Sequence, residues 1–325
     1  MLDALQAGVS MRAGEGPRGT NLYYGHSTCV ASKAAGETLG AAKKAILVPV
    51  KMGLRYQIDL LDGLTKTARD IRINGRQKKA VLLVTVGSIL NESILHLAGL
   101  FEQAMSFFIR LGVPVVVATG NQANELDDHG QLLTEIDQYP AVLASSRFPI
   151  INVGNMMWNG DLAPDSQRGE RLVINAIGED VPCMDQFGNV LRARGTSMCK
   201  FCKCNTAYVH CGLVVNLFLA APLVAGYVAI LLSLKNKENL PFNEEGLKEI
   251  DFLTRLRDFL TDKKSWTSPF GYKALRNRIS SEVYRQYSSQ PAPEEGTPGS
   301  ASDEEGTSES ASDEEGTSES AGVEN

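Results

Sequence analysis

A chain of 325 residues with 43% hydrophobic content can hold one large domain or two ordinary ones, with enough apolar residues for a buried core. The net charge of -6 is concentrated at one end: residues 291–325 hold eleven of the 38 acidic residues and no Lys or Arg, leaving 27 acidic against 32 basic elsewhere. That mild basic excess is too dispersed to point to nucleic acid, and six cysteines in a chain this long do not make a small disulfide scaffold.

The first residues, "MLDALQAGVSMRAGEGPRGT", lack the apolar run of an export signal, and residues 1–20 read as a weakly structured segment. Next, "GHSTCVASKAAG" at 25–36 suits a tightly packed helix of small residues and carries His26. Short β-branched runs recur at 45–50, 80–86, 113–118, 150–153 and 172–177, alternating with helix-like stretches at 54–71 and 92–111. Their apolar residues are continuous rather than alternating. Such strands are buried on both faces, as in a parallel sheet sandwiched between helices, so the fold class is α/β.

Residues 220–234, "AAPLVAGYVAILLSL", read as a buried helix whose first turn accepts Pro222, since the N–H lost there needs no intrahelical partner. Residues 243–262, "NEEGLKEIDFLTRLRDFLTD", have near-helical apolar spacing after an acidic start and predict an amphipathic helix. From 286 to the end the chain becomes low in complexity, with three ten-residue units of Gly, Ser, Thr, Asp and Glu. With almost nothing apolar to bury, this tail is expected to be disordered.

Two places hold candidate chemistry. In "VPVVVATGNQANE" a strand delivers Gly120 and Asn121 to a loop beyond its carboxyl end, where sites form in open α/β sheets and where an amide can donate to a developing oxyanion. In "GTSMCKFCKCNT", Ser197 precedes a cysteine cluster. As a nucleophile opening the helix at 220, it would gain from the positive end of the helix dipole. Cys199, Cys202, Cys204, Cys211 and His210 also offer spacing that zinc accepts, and the apolar run 211–234 is long enough to span a bilayer. Cys29 and Cys183 stand alone and read as small buried hydrophobes, or as half-cystines in an exported protein. His96 in an apolar helix and His129 in a loop read as structural or solvated.

With residues 199–219 removed, the flanks join as "GTSMAAPLVAG", which closely resembles the nucleophile motif of the subtilisin-like serine peptidases (peptidase family S8, fungal type). "GHSTCVASKAAG" resembles that family's histidine motif and "VVVATGN" its oxyanion-asparagine motif, and the three occur in the family's order. The likeness extends to "YPAVLASSRFPIINVGN" at 139–155 and, more faintly, to "SWTSPFGYKALRNRI" at 265–279.

The resemblance implies a three-layer sandwich with a mostly parallel sheet and helices on both faces, in a peptidase domain spanning 21–285 and interrupted at 199–219. It implies Ser197 as nucleophile, His26 as general base, Asn121 as oxyanion donor, and Thr85, Val86, Gly87 and Ser88 as the strand lining the primary substrate pocket. The substrate would be a peptide or protein. No cofactor or metal is implied beyond calcium by analogy with some relatives, for which "NELDDHG" at 124–130 is the candidate loop. The family is secreted, though no signal peptide is visible here.

Three departures from the pattern imply impaired activity. Only 25 residues precede His26, so the family's aspartate and the strand bearing it are missing, and Asp3 lacks the right setting. Loss of the aspartate alone costs about 10⁴-fold in rate. Ser27 replaces a glycine. The insert 199–219, readable as translated from an unspliced intron, separates Ser197 from its helix, and misplacement by about 1 Å can cost 10²-fold. Two other classes stay open: a non-catalytic homologue that binds peptides or proteins, and a membrane-attached or zinc-binding protein using the insert.

Overall fold

The computed structural model describes residues 25–52, 57–89, 92–127, 129–193, 213–215, 219–234, 240–262 and 274–275. In chain order the helices are α1 (His26–Ala35), α2 (Gln57–Ile73), α3 (Ala98–Arg110), α4 (Ala220–Ser233) and α5 (Glu249–Thr261). The strands are β1 (Leu82–Val84), β2 (Val86–Ile89), β3 (Val115–Ala118), β4 (Gln138–Tyr139), β5 (Ile151–Met156), β6 (Ile174–Ile177), β7 (Val181–Met184), β8 (Val190–Ala193) and β9 (Leu213–Val215).

The central sheet is parallel, in the order β1-β3-β5-β6. Its two faces are visible in the alternation along β3. Val115 and Val117 pack with Leu60, Leu64 and Ile71 of α2 and Phe101, Met105 and Phe108 of α3. Val116 and Ala118 face the other way, toward Val224 and Val228 of α4 and Leu253, Leu256 and Leu260 of α5. Because side chains alternate across a strand, a strand covered by helices on both sides must be apolar at every position, as "VVVA" is. The architecture is the α/β sandwich the apolar runs predict. At the far edge, Ala274 bridges in parallel to Asn175 of β6, and Leu275 N–H donates to Asn175 O at 2.7 Å.

Local sequence explains the helix ends. The predicted helix over 92–111 is a 3₁₀ turn at Glu92–Leu97 followed by α3. It stops at Gly112, whose φ of 61° lies in the left-handed region. Val113 N–H then donates to Phe108 O at 3.0 Å and Gly112 N–H to Ile109 O at 2.9 Å, a Schellman close that spends the orphan carbonyls. The predicted helix over 243–262 begins only at Glu249, because Gly246 at φ 83° turns the chain just before it. Its first turn keeps Glu249 and Asp251, favourable against the helix dipole.

One predicted strand is absent. Residues 45–50 form no ladder, and Ile46, Val48 and Val50 are 90%, 49% and 38% exposed. The run has strand composition but no strand beside it to take up its N–H and C=O groups among the described residues.

Helix α1 is held by two devices. Cys29 and Cys183 form a disulfide across 154 positions, joining α1 to β7, which settles the open reading of these cysteines as half-cystines. Met184 N–H donates to Ser32 Oγ at 3.0 Å beside it. On its other side α1 packs against α4 so closely that a Cβ on Gly226 would lie 2.6 Å from Ala34 O. Glycine is required there because the two backbones touch.

Among the described residues no helix is long and apolar enough to cross a membrane, and α4 is accounted for by burial against the sheet and α1. The zinc candidates Cys199, Cys202, Cys204, His210 and Cys211 lie outside the described residues.

Candidate active site

The carboxyl edge of the parallel sheet holds Asn121, residues 85–88 and His26. In the β1–β3 register Val84 sits opposite Val117, so Thr85 and Thr119 leave the sheet at the same edge. From there the chain continues into β2 on one side and Gly120-Asn121 on the other. Two buried glutamines tie these exits together. Gln138 Nε2 donates to Ala118 O at 3.4 Å, while its Oε1 occupies the space a side chain on Gly87 would need. Gln167 N–H donates to Gly120 O at 3.1 Å, and its Oε1 crowds the position of any Cβ on Gly120. Gly120 has φ 123°, so this approach depends on glycine twice, for conformation and for space.

Asn121 is fully buried, and neither amide atom of its side chain has a hydrogen-bond partner among the described residues. Its backbone N–H donates to Gln122 Oε1 at 3.0 Å. Ser88 Oγ and Thr119 Oγ1, both fully buried, are likewise unpaired. An unpaired buried polar group costs about 1 to 3 kcal/mol, so a concentration of them at one edge marks the place where the fold is not optimised for stability.

His26 reaches the same edge by helix packing. Cys29 of α1 shares a small cluster with Leu219, the residue before α4, while Ala34 meets Gly226 one to two turns on. The two helices therefore run alongside with their N-termini at one end, which puts His26, the first residue of α1, at the end where α4 begins. That end is the carboxyl edge, because a Cβ on Gly178, just after β6, would lie 3.0 Å from Ala220 N and 2.5 Å from Asn155 Oδ1.

His26 is buried, and neither Nδ1 nor Nε2 has a partner among the described residues. Desolvation lowers its pKa from 6.5 to about 4, so the imidazole is neutral at pH 7. A neutral imidazole with a free lone pair can accept a proton, but no carboxylate orients it within the described residues. Ser197 lies outside them.

Thr85 and Val86 are half-buried and Gly87 and Ser88 buried. β2 pairs antiparallel with β4 through Ser88–Tyr139 and Ile89–Gln138, and with β9 through Val86–Val215, Gly87–Val214 and Ser88–Leu213.

In the 124–130 loop, Asp127 Oδ1 accepts N–H bonds from His129 at 2.9 Å and Gln131 at 2.8 Å, which hold its pKa below the usual carboxylate range. No group of three His, Cys, Asp or Glu residues able to hold a metal occurs among the described residues, and Asp128 falls outside them. No catalytic motif marks Gln138, Gln167 or Asn155; an amide such as Asn155 inside the apolar run "IINVGN" is the signal the sequence offers.

The arrangement defines a class first: an α/β sandwich with a buried histidine and a buried asparagine at the carboxyl edge of its parallel sheet. No family model matches the chain. Among curated proteins it is 27% identical over 216 residues to "Subtilisin-like protease 2" of Trichophyton rubrum, covering 66% of this chain and 42% of that protein. It is 27% identical over 261 residues to the protein of the same name from Arthroderma otae, covering 78% and 51%. The chain thus spans about half the length of the curated relatives it matches. A crystal structure of a cold-adapted subtilisin-like serine proteinase superposes with a TM-score of 0.52 at 18% identity, covering 79% of this chain and 76% of that one, and establishes the fold. The chain thus resembles the subtilisin-like proteases in sequence and shares the fold of a subtilisin-like proteinase.

Proposed function

We propose that the chain carries a serine endopeptidase site of the subtilisin-like kind, impaired as encoded. Ser197 Oγ attacks the scissile carbonyl carbon while His26 takes its proton. The C–N bond breaks as His26 returns that proton to the leaving amine, leaving an acyl-enzyme that water hydrolyses. Asn121 donates to the tetrahedral oxyanion. The peptide lies as an extended strand along residues 85–88.

The observation that carries this reading is that His26, neutral and unpaired, and Asn121, unpaired and fully buried, stand at the same edge of the sheet. Impairment is supported by His26 having no carboxylate partner among the described residues.

A fluorophosphonate probe tests it, because the reagent reports the nucleophile without requiring turnover. Slow labelling that is lost in Ser197→Ala and in His26→Ala is expected. Folded protein that takes up no label would reject the nucleophile and favour the non-catalytic peptide-binding homologue.

A further inference from the structure

We infer that β9 is an internal occupant of the peptide edge of β2, so that the segment 213–215 blocks that edge by strand addition from within the chain. This rests on the proposed reading of residues 85–88 as the substrate edge.

A strand has two edges. β4 takes one edge of β2, through Ser88 and Ile89. The other edge is the one a peptide would need, and β9 pairs with it antiparallel over Val86, Gly87 and Ser88. An extended peptide adds to a sheet by bonding the backbone N–H and C=O groups of the edge strand, and each of those groups can serve one ladder at a time. β9 and a peptide substrate are therefore mutually exclusive on β2.

Tethering favours the internal strand. Leu219, four positions after Val215, is fully buried against Cys29, Cys183 and Val181 at the start of α4. A short tether of that kind gives an effective concentration on the order of mM, which an external peptide must exceed. Residues 213–215, which in the sequence lie within the insert between Ser197 and its helix, thus also cover the edge that would align the substrate.

The experiment combines amide hydrogen exchange on the full chain with binding of a fluorescein-labelled Ala-Ala-Pro-Phe peptide. Successive N–H groups of a strand point to opposite sides, so between them Leu213→Pro and Val214→Pro remove a donor on each side, and at least one variant breaks a bond to β2. Val214→Ala keeps every N–H and is the control.

The expected result is joint protection of amides 86–88 and 213–215 in the wild type and in Val214→Ala. One or both proline variants should lose that protection and bind the peptide at least tenfold more tightly. Unprotected amides at 213–215 in the native chain would overturn the inference, as would equal peptide affinity in the wild type and both proline variants. Tight peptide binding by a proline variant without fluorophosphonate labelling at Ser197 would reject the catalytic reading and leave the internal occupant standing. Loss of protection with no peptide binding by any variant would reject the edge as a substrate site, and the inference with it.

Discussion

Burial of His26 has a thermodynamic signature that does not depend on catalysis. Its pKa falls from 6.5 to about 4 in the folded chain, through desolvation. Between those values the unfolded chain binds a proton that the folded chain refuses, so stability drops as pH falls from 6.5 toward 4 and levels off below. At 1.36 kcal/mol per unit, the group contributes about 3 kcal/mol to acid destabilisation. Urea titrations of wild type and His26→Gln at several pH values should therefore converge or cross across that window and run parallel above pH 7; a constant difference would mean that His26 is solvated. The same lowering sets the acid limb of any Ser197 labelling near pH 4 rather than near 6.5. Asn121 separates function from stability in another way. Its side chain has no partner among the described residues, so Asn121→Ala should leave the melting temperature unchanged or slightly raised while slowing labelling by about 10² to 10³-fold. A large fall in melting temperature would show that the amide is a structural anchor.

At the scale of elements, the fit of α1 against α4 decides where His26 stands. On intrinsic propensity alone Gly226→Ala should stabilise α4 by about 1 kcal/mol. The added methyl, however, would lie 2.6 Å from Ala34 O and 2.7 Å from Ala41 Cβ, contacts that backbone cannot relieve cheaply and that cost about 1 to 3 kcal/mol. The clash should win, giving a net loss by urea titration; a gain would mean the helices can part freely. Replacing both Cys29 and Cys183 by Ala should cost about 2 to 5 kcal/mol, since the bridge closes a loop of 154 positions. Elements whose burial shows in composition were legible in the sequence: β3 and β5 as continuous apolar runs, α4 from "AAPLVAGYVAILLSL", α5 from its apolar spacing. The disulfide was legible only as an alternative, because nothing local to Cys29 or Cys183 says that α1 and β7 adjoin. β9 was not legible as a strand at all, because its reason for being one lies on β2.

Over the whole molecule, the central sheet ends at β1, which pairs only with β3 among the described strands. The sequence presents residues 45–50 as apolar as any core strand, yet they pair with no strand among the described residues and are largely exposed. Periodicity can report that a run suits a sheet; it cannot report whether a neighbour is there to receive it. An open strand edge and an exposed β-branched run are the two features that most promote association between chains. The double variant Ile46→Lys with Val48→Lys should remove that driving force at little thermodynamic cost, since side chains already 90% and 49% exposed give up little burial when replaced. Light scattering against concentration should show weaker self-association than wild type, with the melting temperature within a few degrees. A collapse of the melting temperature would instead place residues 45–50 in the core, and the sheet would then have to be redrawn with a strand beyond β1.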